Sequence, residues 1–501
     1  MLFNSVKYII FIAVAVTLYY LLPKKVRNIF LLVTSYVFYM WAIPQYGVLV
    51  LFTTGLSYFA ARLIDKTEKA KTRKTFLVIS ILLCISFLVV FKYYNFFMEE
   101  LTALMSLVGV AFVPAKFTLA LPMGLSFYTF QVIGYNVDVY NKKVESEKNF
   151  IDYALFVSFF PQILAGPIGR ANEMLPQYKQ EHKLEYSNIV EGLQRFLTGA
   201  FKKVVIADGL GKIVDAIYGN IDEYAGLTLF VAVVAYALQI YFDFSGYTDM
   251  AIGSGKLFGF TLRENFRTPY LATNMGDFWL RWHMSLTSWF RDYVYIPLGG
   301  NRKGFLRKLL NVLIVFFLSG LWHGASENYI VWGLWLAFFR IIEELVTKAR
   351  GLKKTEYKTK AGRIFGRLYT DIVVVVGWIF FRLSDFSKVK YVFYNLFKKA
   401  PVLDTLRAVE EAVMVDGVSR GGYMTLFYGV MILSLGVALM LSLKMYRSLK
   451  QNSLLSNNPL ALYTTKARWL LYWFMGIATV IFFIIARSGD NSSAQFIYLG
   501  Y

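Results

Sequence analysis

The sequence lacks several residue patterns on which soluble enzymes depend. Its 501 residues include one cysteine, Cys84, and three histidines. A single cysteine excludes a disulfide within the chain. The chain contains no HExxH motif, no paired Cys/His spacing, no GxxxxGK[ST] loop and no GxSxG motif. These absences argue against a metal site, a P-loop nucleotide site and a hydrolase-type serine nucleophile.

Charged residues are also absent from long parts of the chain. Residues 28–61, 225–242, 421–443 and 469–486 carry no charged side chain. The sequence is 57% hydrophobic and has a mean hydropathy of +0.49, well above what soluble domains carry. The sequence therefore predicts an all-α polytopic membrane protein with about 11–13 transmembrane or re-entrant helices.

Acidic residues are scarce relative to basic ones. The chain has 53 Lys and Arg against 32 Asp and Glu, which gives a formal net charge of +21. The basic residues lie between the apolar segments, which is typical of the charge bias of cytoplasmic loops. Some of them can also contact anionic lipid headgroups. We therefore expect these basic residues to contact the lipid bilayer and not a nucleic acid.

The order of charges around the first apolar segment predicts the orientation of the chain. Residues 6–23 are apolar, and the positive charges follow them at Lys24, Lys25 and Arg27. A cleavable signal peptide has the reverse order. We therefore expect a multi-pass protein of the bacterial cell membrane with its N-terminus outside. Further spans are expected at 28–62 with a turn at 41–47, and at 75–96, 226–247, 309–325, 328–345, 371–383, 421–443 and 467–486.

Hydropathy and charge divide the chain into four regions. They are N-terminal transmembrane helices at 1–110, a core with re-entrant segments at 111–345, a basic cytoplasmic loop at 346–370 and C-terminal transmembrane helices at 371–501. Within the last region, residues 399–420 and the tail that begins at Ser488 are expected outside. The segment 399–420 is amphipathic and acidic, so we interpret it as a lid or a partner surface.

Two apolar segments carry unusual polar residues. Residues 119–140 include Gln131, Asn136 and Asp138, and such groups at membrane depth must face protein or a water-filled cavity. The segment is either a re-entrant helix that lines a site or a kinked span whose polar groups bond to neighbouring helices. The span 226–247 ends in YFDFSGYTD, so we expect its acidic and hydroxyl residues at the helix end.

Residues 277–293 show a helical period. Trp279, His283, Leu286 and Phe290 recur at positions that share one helical face. Asp277 precedes them and is placed to cap the helix. The pattern predicts one continuous helix at the membrane interface.

The three histidines lie in two kinds of surroundings. His182 lies in the charged stretch KQEHKLE and is expected to be solvated, whereas His283 and His323 follow Trp282 and Trp322 in apolar surroundings. A neutral imidazole in a low-dielectric channel can take a proton from a hydroxyl and return it to a leaving group. The chemistry of an imidazole does not distinguish a catalytic role of His323 from two others. His323 could equally be a packing residue, or part of a proton path in a transporter. The paired half-sequences of many transporters are absent.

Several ordered segments carry a family resemblance. They are LPMGLSFYTFQVIGYNVDVY, FVSFFPQILAGPIGR, YFDFSGYTDMAIGSGKLFGF, DFWLRWHMSLTSWFRDYVYIPLGGNRKG, SGLWHGA and VVGWIFFR. Together they resemble the membrane-bound O-acyltransferase family, in particular its alginate O-acetyltransferase-like branch. The resemblance implies a ring of tilted helices around a central catalytic tunnel.

The resemblance also implies which residues act. His323 matches the catalytic histidine and His283 matches the second histidine of the family. We assign the lining of the substrate tunnel to Trp322, Trp282, Arg281, Ser319 and Gln131. No metal ligand is expected.

The same resemblance implies the substrates and partners. The acyl donor is a cytoplasmic thioester, expected to be acetyl-CoA, which binds only as a substrate. The acyl group crosses the membrane to an extracytoplasmic serine-esterase-like partner, which places it on a polysaccharide hydroxyl. The alternative is a D-alanyl transferase of teichoic acid modification, which draws on a carrier-protein thioester and shares the RWHMSL…RDYVYIPLGG region. A transporter or flippase is the remaining alternative.

Overall fold

The computed structural model describes residues 1–41, 43–116, 121–352, 355–414, 420–450, 460 and 463–489, and within them every regular element is a helix. The first eleven helices are α1 (Val6–Leu21), α2 (Lys24–Met40), α3 (Tyr46–Lys66), α4 (Ala70–Leu88), α5 (Tyr94–Leu107), α6 (Leu125–Tyr140), α7 (Phe150–Ser158), α8 (Phe160–Ile163), α9 (Ala171–Lys179), α10 (Tyr186–Ala200) and α11 (Asp208–Gly219). The others are α12 (Leu227–Leu257), α13 (Met275–Trp279), α14 (Met284–Phe290), α15 (Phe305–His323), α16 (Glu327–Ala349), α17 (Lys360–Arg382), α18 (Phe386–Asn395), α19 (Val402–Val413), α20 (Arg420–Lys450) and α21 (Thr465–Gly489).

The described residues contain seven helices that are long and apolar enough to cross a bilayer. They lie at Tyr46–Lys66, Ala70–Leu107, Leu227–Leu257, Phe305–His323, Lys360–Arg382, Met424–Arg447 and Thr465–Ile484. Shorter apolar helices lie at Val6–Leu21 and Phe150–Ile163. The all-α membrane architecture is confirmed, as is the turn that separates α2 from α3.

Contacts between the connecting segments define two ends of the helix bundle. At the end we call the basic end, the Arg27 guanidinium donates to the backbone carbonyl of His182, and Arg73 donates to that of Tyr140. At the opposite end, the backbone N–H of Gly226 donates to the carbonyl of Asn395.

Helix α6 shows what the polar residues of the segment predicted at 119–140 contact. It is an unbroken helix from Leu125 to Tyr140, while residues 117–120 lie outside the described part. The Asn136 amide accepts from Ser57 at 3.1 Å and donates to Ser80 at 3.2 Å. Asp138 accepts from the Tyr293 hydroxyl at 2.7 Å. Asn136 and Asp138 therefore bond to neighbouring elements, and whether the helix is re-entrant stays a prediction.

Helix α12 corrects the prediction of a span that ends near residue 247. It continues to Leu257, so Asp243 and Asp249 lie within the helix and not at its end. Both carboxylates are neutralised there: Lys203 lies 2.6 Å from Asp243, and Lys202 lies 2.6 Å from Asp249. Charges that are paired inside the bundle do not have to end a membrane helix.

Two other span boundaries were wrong. The helix predicted at 75–96 runs from Ala70 to Leu107 through a π-helical turn at Val89–Tyr93. The short span predicted at 371–383 is part of Lys360–Arg382. In both cases basic residues occupy the first turns of the helix, where charge alone suggested a loop.

The predicted continuous helix at 277–293 is also wrong. It is two short helices, α13 and α14, separated by residues 280–283. The interruption arises because the backbone pairs with residues 265–267 instead of extending the helix: Arg267 N–H donates to the Arg281 carbonyl, and Met284 N–H donates to the Asn265 carbonyl. Asn274, and not Asp277, caps α13, since its Oδ1 accepts from the Asp277 N–H at 2.8 Å.

The segment predicted at 399–420 forms a packed helix. Helix α19 buries Thr405, Ala408, Val409 and Val413, and the Thr405 hydroxyl bonds to Thr228 of α12 at 2.8 Å. Its other face exposes Val402, Leu403 and Leu406. Residues 415–419, and the tail from residue 490 onward, lie outside the described part.

His182 is less solvated than its charged neighbours suggested. Its ring is half-buried, with a centroid 4.4 Å from that of Phe260, and its Nε2 lies 2.8 Å from the Gln177 carbonyl. Burial lowers the pKa of His182.

Candidate active site

His283 occupies a strained position between α13 and α14. Its φ of 43° is in the left-handed region, which costs a residue other than glycine about 1–3 kcal/mol and is common at functional sites. The side chain is 1% exposed. Its ring makes an edge contact with Phe244 at 4.7 Å and lies nearly parallel to Phe127 at 6.2 Å.

The hydrogen bonds of Asn265 fix the tautomer of His283. Asn265 Oδ1 accepts from the backbone N–H of Ser285 at 3.1 Å and from its hydroxyl at 2.9 Å. Because a backbone N–H can only donate, this Asn265 atom is an acceptor. His283 Nδ1 lies 3.1 Å from the same atom and therefore donates to it. The proton is thus on Nδ1, and Nε2 is the nitrogen that can accept one.

His323 is the last residue of α15. Its side chain is 6% exposed and lies in a cage of three aromatic rings. The ring centroids of Trp322, Trp332 and Phe381 lie 4.7, 4.9 and 5.0 Å from that of His323, each in an edge arrangement. This cage excludes water from the imidazole and restricts its rotation.

Trp322 lies between the two histidines. Its ring centroid is 6.1 Å from that of His283 and 4.7 Å from that of His323. Phe127 and Phe130 pack on it at 5.5 and 5.6 Å. Its buried indole N–H has no hydrogen-bond partner among the described residues. The fold therefore brings together two imidazoles that are 40 residues apart in sequence, with a potential N–H donor between them.

Close packing of α15 on α16 fixes the end of α15. A Cβ on Gly320 would lie 2.4 Å from the backbone carbonyl of Tyr329, and one on Gly324 would lie 2.1 Å from the Tyr329 ring. A Cβ on Gly333 would meet the Phe316 carbonyl at 2.4 Å. The glycine after His323 therefore serves close approach of the two helices.

A cavity of about 920 Å³ lies beside α15, and its wall includes residues 355–358, which lie between α16 and α17. Val312, Phe316 and Ser319 of α15 line it. His323 follows Ser319 by four residues and Phe316 by seven, so it continues the same helical face. The cavity thus runs along α15 toward the caged imidazole.

Cations predominate in the wall of this cavity. It contains five cationic side chains, those of Arg291, Lys308, Arg340, Lys358 and Arg363. It contains three carboxylates, those of Asp277, Glu344 and Glu356. Of these, Glu344 is paired with both Lys308 and Arg340. Arg291 is also paired with Asp292, and Arg340 with Glu343, both outside the wall. Lys358 and Arg363 are the remaining cations that suit an anionic substituent.

The predicted tunnel residues lie in different surroundings. Ser319 lines the large cavity. Trp282 is 2% exposed and lies between Phe278 and Trp378, at 5.6 and 4.9 Å. These contacts make Trp282, the residue before His283, part of the aromatic core.

Arg281 and Gln131 are held by other groups. Arg281 pairs with Asp277 at 2.7 Å, and its guanidinium lies 5.5 Å from the centre of the Tyr446 ring. The Gln131 amide donates to the backbone carbonyl of Phe156. Their role in lining a tunnel stays a prediction.

Three residues of the site were missed in the sequence. Asn265 lies in a polar stretch without a motif, Trp332 lies in an ordinary apolar helix, and Lys92 marked only the end of a predicted span. Lys92 Nζ donates to the backbone carbonyls of Trp322 and His323, at 2.6 and 2.8 Å. No pattern of spacing identifies such contacts, since each joins segments that are distant in the chain.

The arrangement can carry out proton transfer in a site that excludes water. The two imidazoles can accept and return protons, and the aromatic cage would suppress hydrolysis of a reactive intermediate. The cations in the cavity wall can bind an anionic molecule beside α15. Acyl transfer from a thioester to a hydroxyl requires these features.

Comparison with known proteins agrees with this chemistry. The family model for membrane-bound O-acyltransferases matches residues 141–383. That range contains both buried histidines, Asn265 and most of the large cavity.

Curated relatives extend the similarity over most of the chain. The probable alginate O-acetylase of Pseudomonas putida is 37% identical over 389 residues, which cover 77% of this chain and 78% of the relative. The peptidoglycan O-acetyltransferase of Helicobacter pylori is 34% identical over 420 residues, with 77% of each chain covered. The teichoic acid D-alanyltransferase of Bacillus subtilis is 30% identical over 224 residues, 43% of this chain and 57% of the relative.

Proposed function

Because this chain belongs to the membrane-bound O-acyltransferase family, it is an acyltransferase, and we propose that it moves acetyl groups across the membrane for the O-acetylation of a cell-surface polysaccharide. The relatives similar over 77% of the chain are named as O-acetylating enzymes, and the D-alanyl transferases match a smaller part. The observation that carries the proposal is the caged His323 at the end of the helical face that lines the large cavity.

Acetyl-CoA is the proposed donor. Its phosphates would lie at the mouth of the cavity, near Arg291, Lys358 and Arg363. Its acetyl thioester would extend along α15 past Ser319 to His323. The cations in the cavity wall support this orientation of acetyl-CoA, because cations stabilise its phosphates whereas its thioester end is neutral.

His323 is the proposed general base, and His283 its helper. His323 would take the proton from the acceptor hydroxyl, whose oxygen then attacks the thioester carbonyl. The proton would return to the leaving thiolate as the tetrahedral intermediate collapses. His283, with its proton on Nδ1, can orient the acceptor hydroxyl through Nε2. The indole N–H of Trp322 is a candidate donor for the oxyanion.

The proposed orientation places the basic end in the cytoplasm and the N-terminus outside. Positive residues favour cytoplasmic loops, and acetyl-CoA is a cytoplasmic metabolite. The acceptor would then be an extracytoplasmic serine-esterase-like protein, which passes the acetyl group to the polysaccharide. The exposed face of α19, at the opposite end, is the proposed surface for this partner.

Measurement of ester-linked acetate on the cell surface tests the proposal. A deletion strain is complemented with wild type, His323→Ala or His283→Ala, and the amount of folded protein in the membrane is matched by size-exclusion chromatography in detergent. We expect acetate with wild type, none with His323→Ala, and a large but incomplete loss with His283→Ala. Normal acetate with well-folded His323→Ala contradicts the catalytic assignment.

Two further readouts separate the alternatives. Loss of ester-linked D-alanine, with unchanged acetate, in the deletion strain would favour the D-alanyl transferase. Unchanged levels of both esters would favour a transporter. Fractionation of the cell wall then identifies the acetylated polymer.

A further inference from the structure

One turn of a distant helix holds the C-terminal end of α15. The Lys92 ammonium donates to the carbonyls of Trp322 and His323, at 2.6 and 2.8 Å, and the Tyr93 hydroxyl donates to the carbonyl of Leu321. An α-helix leaves its last four carbonyls without partners inside the helix. Two adjacent residues thus satisfy three successive carbonyls at the end that carries His323.

The local backbone explains how two adjacent residues reach the same target. Both lie in the π-helical turn Val89–Tyr93, which joins α4 to α5. A π turn contains one more residue than an α turn, and such turns occur frequently at functional sites. The unusual turn lies where the helix contacts the end of α15.

The charge of Lys92 is stabilised by these carbonyls. Among the described residues it forms no ion pair with a carboxylate, and both of its hydrogen bonds there go to α15. The C-terminus of a helix carries partial negative charge, which favours a cation. Hydrogen bonds from an ammonium are also stronger than those from neutral donors. A half-buried lysine of a membrane helix is thereby tied to the segment that presents His323.

We propose that Lys92 is the positioning residue for His323, an inference that rests on the proposed role of His323 as general base. The backbone carbonyls of Trp322 and His323 are anchored by one ammonium, and the imidazole is enclosed by aromatic rings. With its backbone fixed, His323 keeps one placement relative to the cavity. Without Lys92, the last turn of α15 frays and the imidazole moves away from the reacting thioester.

Steady-state kinetics with purified protein and acetyl-CoA test the catalytic consequence. We expect Lys92→Met to lower kcat roughly 100-fold, while KM for acetyl-CoA stays close to that of wild type because the cavity mouth is untouched. Lys92→Arg should restore much of kcat, since a guanidinium can donate to the same carbonyls. Tyr93→Phe should lower kcat less, because it frees only the Leu321 carbonyl. Lys71→Met, at an exposed position of α4, is the matched control.

Chemical labelling tests the positioning itself without any turnover. The rate at which diethyl pyrocarbonate modifies each histidine is measured by mass spectrometry, together with amide hydrogen exchange of residues 320–324. In Lys92→Met we expect His323 labelling and this exchange to rise several-fold, with His283 labelling unchanged. Equal rates in variant and wild type overturn the inference. An equal rise at both histidines also overturns it, because Lys92 would then support the fold as a whole.

The two assays keep this inference separate from the proposed function. An inactive His323→Ala variant together with normal kcat in Lys92→Met refutes only the role of Lys92. Full activity in His323→Ala refutes the proposed role of His323 as general base, and with it the catalytic purpose of the anchor, but leaves acetyl transfer by this chain standing. A loss of kcat in Lys92→Met that Lys92→Arg does not relieve at all overturns the inference as well.

Discussion

Asn265 Oδ1 accepts a hydrogen bond from His283 Nδ1 at 3.1 Å. Because the same oxygen accepts from the backbone N–H of Ser285, its identity is fixed, and so is the protonated nitrogen of His283. One buried amide therefore determines which nitrogen of a neighbouring imidazole carries the proton and which is free to accept one. The left-handed backbone at His283 places the ring within reach of that amide.

Substitution of Asn265 tests this relationship. We expect Asn265→Ala to lower kcat roughly 100-fold, because the imidazole loses the partner that fixes its tautomer and orientation. The measurement is acetyl transfer by purified protein at saturating acetyl-CoA.

A second buried asparagine provides the matched control. Asn311 donates to the carbonyl of Gly300 at 2.9 Å and lies in α15 more than three helical turns before His323. Asn311→Ala should cost about 1–3 kcal/mol of stability with little effect on kcat. Equal kcat values for the two variants would show that Asn265 acts only through stability.

Gly320 tests the contact between α15 and α16. In Gly320→Ala the new methyl group would meet a backbone carbonyl, that of Tyr329, at 2.4 Å. Since the backbone cannot move aside as a side chain can, we expect a loss of about 1–3 kcal/mol of stability and a displaced His323. Gly436→Ala in α20 is the control, since nothing lies within 4 Å of its new Cβ. Thermal unfolding in detergent compares the two, and identical melting temperatures would refute the close packing.

Arg363 tests the donor cavity. We expect Arg363→Glu to raise KM for acetyl-CoA roughly tenfold, with kcat little changed, because the side chain lies at the mouth of the cavity and far from the acetyl group. Arg350→Glu makes the same change in net charge at an exposed position outside the cavity wall. The difference in KM between Arg363→Glu and wild type should become smaller at high ionic strength, where charges are screened. Equal KM values would place the donor elsewhere.

Substitutions on the exposed face of α19 test whether this face is the proposed partner surface. Deletion of α19 would remove the buried side chains of Val409 and Val413 from the core, so point substitutions are required. We expect Leu403→Glu combined with Leu406→Glu to reduce surface acetate in cells, while the purified variant binds acetyl-CoA normally. Lys388→Glu together with Lys390→Glu on neighbouring α18 is the control for added negative charge. Full surface acetate in the α19 variant would exclude this face.

The break between α13 and α14 shows why part of the site could not be predicted. The spacing of Trp279, His283, Leu286 and Phe290 fits one helical face, and the local pattern contains no breaker. The helix ends early because backbone groups of residues 265–267 offer hydrogen bonds to residues 281 and 284. Helical periodicity carries no information about such competing partners.

The predicted end of α12 was wrong for a related reason. Charged residues normally mark the end of a membrane span, and Asp243 and Asp249 follow a long apolar run. Lysines at positions 202 and 203 approach them because glycines let α10 and α12 pack closely: a Cβ on Gly199 would lie 2.5 Å from the Gly246 carbonyl. Pairing between helices, which hydropathy does not register, made the longer helix possible.

The sequence by itself determined that the chain is an all-helical membrane protein with two histidines in apolar surroundings. Long uncharged runs have one stable solution in a bilayer, since every backbone group must bond within its own helix. Only the tertiary structure decided how the histidines are used. Asn265, Trp332 and Lys92 reach them from separate segments, and contacts between segments that are distant in the chain form only when the whole bundle packs. The tautomer of His283, the aromatic cage and the anchored end of α15 are therefore properties of the fold.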